Sequence, residues 1–516
     1  MPARLFSHAV LGVDSYKVDV EADVLGGNFG INIVGLPDNA VRESRERIQS
    51  AIKNAQFPLP TGNARYIINL APAGIRKEGA ALDLPMALSL LGTLGKIDLK
   101  RASRYSLIGE LALDGRIKPV TGMICMADGA LRDGFDGVIV PRENADEAAL
   151  VQGLDVIALG HLRDACEFLN GRLEVTSHQV DVEALFQQAS NTLIDLQDVK
   201  GQESAKRALE IVAAGGHNCL LIGSPGIGKT LLLQRLATIL PPLTLPEALE
   251  STKIHSMAGK LDTAQPFQAT RPFHSPHHTI SHVALVGGGA YPRPGQVSLA
   301  HHGVLFLDEL PEFPRLVLEA LRQPLEDGVV TIARAQVSIK FPARFILAAA
   351  MNPCPCGYLG HHQRACTCSP EGIRRYRGRI SGPLMDRIDL HVEMAPVKVD
   401  ELRGEGRSGE PSAVVRDRVE KARAVQLERY SEQPGIYCNA HLTPKALREF
   451  CILDDEAQGM LDRAMEALGL SARAHDRIIR IARTIADLDP EAKTSEVIRA
   501  SHIGEAVQYR TLDKGL

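Results

Sequence analysis

The chain has 516 residues, 45% hydrophobic and 23% charged, which is ordinary for soluble globular protein and enough for several buried cores. Nine cysteines, an odd number scattered along the sequence, do not suggest a disulfide framework, and no apolar stretch is long enough to span a bilayer. A formal net charge of −4 carries no nucleic-acid signature in bulk, although a ring can keep basic loops in its pore while its outside stays acidic.

Met1 to Val10 lacks the apolar run and cleavage site of a signal peptide, so the expected location is the cytoplasm, with no membrane partner. Residues 1–170 mix strand-like runs (Val18 to Val24, Ile31 to Val34, Ile67 to Leu70, Gly137 to Val140) with helical stretches at Asn39 to Asn54 and Leu82 to Leu94. That pattern predicts an α/β or α+β domain. Residues 171–195 are polar without an apolar repeat and read as a linker. From 196 to 400, strands alternate with helices, the pattern of a parallel sheet covered by helices. Arg403 to Ser412 reads as a second linker, and 413–516 as a helical domain.

Within the middle block, the apolar strand Cys219-Leu-Leu-Ile222 runs into Gly223-Ser224-Pro225-Gly226-Ile227-Gly228-Lys229-Thr230 and then a helix. This is G-x-x-x-x-G-K-[ST] in its strand–loop–helix context. Glycines let backbone N–H groups turn inward around phosphates, at a helix N-terminus that favours anions. Lys229 would reach the β- and γ-phosphates of ATP, and the Thr230 hydroxyl would ligate Mg²⁺. The strand Val304-Leu-Phe-Leu307 ends in Asp308, which would hold Mg²⁺, and Glu309, which would polarise the attacking water. A third strand, Arg344 to Ala350, ends at Asn352, placed to hold that water.

Further along, Arg387 in Gly382-Pro-Leu-Met-Asp-Arg-Ile-Asp389 would project toward a neighbouring subunit's γ-phosphate as an arginine finger. Arg473 opens a helix after the N-cap candidate Ser471 and would close the lid on ATP. An arginine supplied from a neighbour implies a homo-oligomeric ring.

Together these motifs resemble the AAA+ superfamily. Asp198-Val-Lys-Gly-Gln202, Arg271-Pro-Phe-His-Ser-Pro-His-His278, Gly287-Gly-Gly289 and Pro292 to Gly303 are similar to magnesium-chelatase-like AAA+ proteins, and the chain from Leu11 to about Leu512 resembles the ComM/YifB family among them. The fold this implies is an AAA+ P-loop core followed by a helical lid. It also implies a hexameric motor that remodels DNA by helicase action or branch migration during integration of transforming DNA. Two alternatives stay open, a chelatase-type motor subunit and a nucleotide-gated scaffold.

The N-terminal block resembles the Lon protease domain over Ala71 to Asp83 and Gly109 to Gly122, but the nucleophile position holds Ala81 and the lysine position Ile124. Lon-type chemistry needs a serine activated by a lysine, so the resemblance implies a non-proteolytic relative. Lys77 and Lys118 read as solvated surface lysines.

Gly328 to Lys340 reads as a hairpin with its tip near Arg334. Related hexameric helicases place such a hairpin in the pore, which makes Arg334 and Lys340 candidates for sequence-independent contact with single-stranded or branched DNA. Tyr291, by stacking on a base, and Arg293, by pairing a phosphate, are further candidates. Cys354, Cys356, Cys366 and Cys368 form C-x-C-x9-C-x-C, read either as a tetrahedral zinc site or as four reduced thiols in an ordered loop. Six histidines (His274, His277, His278, His282, His301 and His302) gather without a carboxylate or cysteine at tight spacing, so structural or nucleotide-proximal roles are expected of them.

Overall fold

The computed structural model describes residues 2–58, 64–77, 79–188, 194–261, 265–289, 292–333, 338–361, 364–395, 409–433, 435–489 and 497–510. It divides into two compact units. The first takes Met1–Ala189, Leu245–Ala269 and Ala333–Phe341; the second takes Ser190–Thr244, Thr270–Ile332 and Pro342–Leu516.

The first unit is built on a seven-stranded mixed sheet. Its strands are Ala3–Leu11 (β1), Asp14–Gly26 (β2), Gly30–Val34 (β3), Ala64–Ala71 (β4), Tyr105–Leu107 (β5), Gly137–Pro141 (β6) and Asp155–Leu159 (β7). Their spatial order is β3-β4-β2-β1-β5-β6-β7. The β1/β2 and β2/β4 pairs are antiparallel and the rest parallel. Alternation along β6 sends Ile139 to one core, with the helices Asn39–Asn54 and Asp83–Thr93, and Val138 and Val140 to another, with the helix Met123–Arg132. The result is three layers. Strand β1 does not stand out in the sequence because it buries polar groups: Ser7 Oγ donates to Leu107 O at 2.7 Å, and His8 Nδ1 lies 2.9 Å from Ser106 Oγ.

Three sequence expectations need correction in this unit. The polar stretch at 171–195 is not a free linker over its described part. Ser177 Oγ accepts from Val156 N at 3.1 Å, His178 N donates to Val156 O at 2.8 Å, and Val182–Gln188 is helical. Strand β7 is the last of its sheet, so its outer backbone groups need partners and take this segment. Second, the block 196–400 is not one contiguous body, because Leu245–Ala269 and Ala333–Phe341 belong to the first unit. There, Lys253 Nζ donates to Asp128 Oδ2 at 3.0 Å, and Ser256 Oγ accepts from Gly122 N at 2.9 Å while bonding the buried Glu147 carboxyl, which burial pushes above its ordinary range. Third, Lys77 is fully buried, donating to the carbonyls of Pro72 and Ile75, and burial pushes its ammonium below its ordinary value. Lys118 is exposed, as expected.

The second unit holds a five-stranded sheet of Cys219–Ile222 (β8), Phe273–His274 (β9), Val304–Leu307 (β10), Ile346–Met351 (β11) and Leu390–Glu393 (β12). Every pairing in the order β9-β10-β11-β8-β12 is parallel. A parallel sheet is covered on both faces, which is why β8 and β10 are unbroken apolar runs with every residue buried. The C-terminal helices do not form a separate body. Helices Ser412–Arg429 and Ala472–Leu488 pack on helix Glu203–Gly215, and Val419 and Ile478 share one core with Leu221 and Phe306 of the sheet. A buried carboxylate locks them together: Asp487 accepts from Arg429 at 2.7 Å, Arg483 at 3.1 Å and Asn439 at 2.8 Å. Among the described residues, no helix is long and apolar enough to cross a membrane.

The first unit also contains a buried ion pair whose loss is measurable. Asp83 is fully buried and accepts from Arg47 Nε at 2.7 Å and from Leu111 N at 3.2 Å, with Ser44 on its other oxygen. Breaking a buried pair by removing one partner costs about 3–5 kcal/mol. Asp83→Ala is therefore expected to destabilise the first unit by about 3 kcal/mol, the low end because Arg47 keeps some solvent contact. Denaturant unfolding followed by hydrogen exchange in Asn39–Asn54 measures this, and a loss below about 1 kcal/mol contradicts it.

Candidate functional site

Parallel register brings three strand ends to one level. Ile222 pairs with Met351 and Glu393, and Leu307 pairs with Ala349, so the segments after β8, β10 and β11 emerge side by side. Gly223–Thr230 follows β8 and turns into the helix Lys229–Ile239. Gly226 and Gly228 have φ of +79° and +93°, a left-handed backbone that a side chain would strain. At Gly223 a Cβ would come within 2.2 Å of Ile227 Cδ1.

Lys229 lies at the centre. Its ammonium is buried and donates to Gly223 O at 2.7 Å, Ser224 O at 3.0 Å and Asn352 Oδ1 at 3.0 Å. Burial pushes it below its ordinary value, while Asp308 and Glu309 act in the opposite direction. Thr230 Oγ1 donates to Asp308 Oδ2 at 2.7 Å, joining the two residues expected to share a magnesium ion. A glycine cradle, a buried cation held by its own loop's carbonyls and a hydroxyl–carboxylate pair fit a nucleotide triphosphate with Mg²⁺.

Glu309 has φ of +52°, a conformation that costs a non-glycine residue about 1–3 kcal/mol and clusters at functional sites. Its Oε2 lies 3.6 Å from His278 Nδ1. The histidine cluster thus does meet a carboxylate, one that the sequence spacing hid because Glu309 arrives from a different strand end. His274 Nδ1 is 2.9 Å from Gln296 Oε1, and His301 Nδ1 accepts from Arg344 N at 3.0 Å.

The two arginines lie elsewhere. Arg387, Arg473, Arg344, Arg477 and Arg480 line one cleft of about 650 Å³, together with Asn218, which precedes β8. Asn218 and Gly223 bracket β8, so cleft and phosphate loop stand at opposite ends of the same strand, about 16 Å apart at the rise of a β-strand. Arg473, expected to close the lid on ATP, lines this cleft, with its guanidinium 3.6 Å from Asp386. Arg387 pairs with Glu326 and donates to Pro383 O at 2.6 Å, with its side chain 11% exposed. Arg387 Nε and Arg480 Nε are buried without an acceptor among the described residues.

Asp389 anchors the cleft's floor. It accepts from Asn218 N at 3.0 Å and from Arg477. Burial alone would raise this carboxyl, but Arg477 and His217 hold it well below the usual carboxylate range. Asn218 in turn accepts from Leu347 N at 2.8 Å and donates to Arg387 O at 2.9 Å, tying the starts of β8 and β11 to the arginine segment. Nothing in the sequence singled out Asn218 or Glu326, or paired His278 with Glu309, because each contact joins segments that are distant in the chain.

The four cysteines also come together, with all four sulfur atoms within 4.8 Å of one another. Of the DNA-contact candidates, Arg293 and Lys340 are exposed, and Tyr291 and Arg334 lie outside the described residues.

A parallel sheet of this order, a phosphate loop at its strand end and a helical C-terminal segment packed on the same core make this an AAA+ protein of the P-loop class. Residues 195–402 match the family described as magnesium chelatase, subunit ChlI; residues 20–144 match subunit ChlI of Mg-chelatase; and residues 409–510 match its C-terminal part. Protein YifB of Escherichia coli is 44% identical over 98% of this chain and 97% of its own length. YifB of Salmonella typhimurium and competence protein ComM of Haemophilus influenzae are each 43% identical over 99% of this chain and 97% of their own. The chain belongs to the YifB/ComM family of magnesium-chelatase-like AAA+ proteins.

The cleft's electrostatics carry a pH test. A carboxyl whose folded pKa is depressed contributes stability above its unfolded pKa and loses it as pH falls through the folded value. Asp389→Asn should therefore cost about 3 kcal/mol at pH 7. That gap should narrow as pH falls below about 4, the ordinary carboxylate pKa. Parallel urea titrations from pH 7 to pH 3 measure it, and a constant gap contradicts the assignment.

Proposed function

We propose that this chain is one subunit of an ATP-hydrolysing ring, six-membered by the family resemblance, that remodels DNA by helicase action or branch migration. One observation carries the ring: the phosphate loop and the arginine cleft occupy opposite ends of one sheet, so a chain cannot close its own site. A neighbour's cleft would complete it. Arg387 and Arg473 would then stabilise phosphoryl charge across the subunit boundary. Arg387 would do so after leaving Glu326, and the Nε groups of Arg387 and Arg480 have no acceptor among the described residues.

Within one chain, Lys229 would bind the terminal phosphates, exchanging the carbonyls of Gly223 and Ser224 for phosphate oxygens. Thr230 and Asp308 would hold Mg²⁺, which neutralises phosphate charge when bound. Glu309 would accept the water's proton, with His278 holding its carboxylate. Asn352, already hydrogen-bonded to Lys229, would orient the water.

The DNA reading is supported by the hairpin of Val329–Ala333 and Ser338–Pro342, with Lys340 on its surface, by exposed Arg293, and by a full-length relative whose name is competence protein. Arg334 and Tyr291 remain part of the proposal. Participation in natural transformation rests on that relative's name and on the family resemblance. The matches to chelatase subunit ChlI favour a second reading, a motor that drives metal insertion. The N-terminal unit is proposed to be non-proteolytic, since neither Ala81 nor Ile124 carries a nucleophile or base.

Lys229→Ala and Glu309→Gln are expected to lower ATP hydrolysis at least about 100-fold, with Glu309→Gln keeping nucleotide affinity. Hydrolysis above a tenth of the parent's in both contradicts the site. Arg387→Ala alone should also be inactive. Mixed with Lys229→Ala it should regain activity, because each variant supplies the half the other lacks; no recovery in assembled mixtures defeats the shared site. Strand displacement and branch migration with the parent, against the Lys229→Ala control, test the DNA step, and absence of DNA binding at low salt with ATP rejects it.

A further inference from the structure

Pro353 follows Asn352 and opens a loop that runs to Ser369, where helix Pro370–Arg377 begins. This loop has almost no apolar core of its own: among its described residues only Pro353, Cys354 and Gly357 are buried. Something other than hydrophobic burial must hold it.

The four thiols supply that. The Cys354 and Cys356 sulfurs are 3.4 Å apart, Cys354 and Cys366 3.7 Å, and Cys356 and Cys366 3.6 Å. In a tetrahedral site with Zn–S bonds of about 2.3 Å, the edges are about 3.8 Å. A disulfide would need about 2.05 Å. Cys368 Sγ accepts from Cys356 N at 3.3 Å, and Cys366 Sγ from Cys368 N at 3.5 Å, the kind of backbone bonding that orients thiolate ligands.

The loop's position gives the cluster a task. A Cβ on Gly357 would lie 2.5 Å from Pro225 Cδ, so the loop sits directly on the phosphate loop. Arg377 Nε donates to Pro353 O at 3.2 Å, pinning the other side. Between these contacts stands Asn352, 3.0 Å from Lys229 Nζ.

We propose that Cys354, Cys356, Cys366 and Cys368 bind one Zn²⁺ as a closed four-thiolate site, and that the folded loop braces Asn352 and Pro225 for hydrolysis. The cysteines are positioning residues. Their role in hydrolysis rests on the nucleotide-site reading above; the metal site does not.

The test uses the full chain purified without chelator. Elemental analysis should give about one zinc per chain, and cobalt substitution should give the visible absorption of tetrahedral thiolate coordination. Cys356→Ser with Cys366→Ser should lose the metal and lower kcat by about 10–100-fold, with much less effect on KM. Cys366→His, which keeps a zinc ligand, should retain both metal and most of the activity. A metal-free parent with four freely titrating thiols overturns the site. Zinc-free, folded double variant with unchanged kcat overturns the bracing. Should the double variant fail to fold, zinc content and cobalt spectra of the parent and of Cys366→His still decide the metal question. Zinc present while Lys229→Ala leaves nucleotide binding intact would uphold the metal site and reject the nucleotide reading.

Discussion

A buried ammonium organises the second unit. Lys229 cannot be solvated where it lies, so the chain must meet it with acceptors, and it does so from two strand ends at once. The carbonyls of Gly223 and Ser224 meet it from the loop and Asn352 meets it from the end of β11, while Gly226 and Gly228 make the loop's left-handed turns. The arrangement is satisfied but replaceable: carbonyl and amide oxygens hold the charge, and phosphate oxygens would hold it better.

Sheet polarity follows as the second constraint. In a parallel sheet all strand ends of one kind face one way, so groups placed before the strands and groups placed after them are separated by the strand length. Lys229, Asp308 and Asn352 fall after their strands; Asn218, Arg344 and Asp389 fall before theirs. Arg473 joins the second group because its helix packs there. The proposed ring is what this separation asks for, since only another copy can bring the two groups together.

The first unit draws on the chain in pieces. After the phosphate-loop helix the backbone contributes Leu245–Ala269 to that unit before returning to the sheet at Phe273–His274. Its attachments include the buried bond of Ser256 with Glu147, the part-exposed pair of Lys253 with Asp128, and Phe267 packed edge-on against Phe186. The segment is therefore held by specific polar bonds as well as by apolar contact, and the bonds fix register as well as position.

Much was legible in the sequence because it was local. The helix at Asn39–Asn54, the strands at Gly30–Val34 and Gly137–Pro141, the cap at Ser471 and the phosphate loop all declare themselves within about 16 residues, through periodicity, caps and glycine chemistry. Family membership was equally readable, since it rests on motifs in order. What the sequence left open was set by pairing between distant segments. Strand β1 hides its place through buried Ser7 and His8, and Lys77 reads as surface until the carbonyls of its own loop enclose it. The pairing of β9 with β10 then brings His278 near Glu309, the pairing of β8 with β12 brings Asn218 against Asp389, and the arginines lie at the far end of the sheet. Sequence determined which chemical groups this protein carries; tertiary structure decided which of them meet, because hydrogen-bond register across a sheet depends on segments more than 100 residues apart.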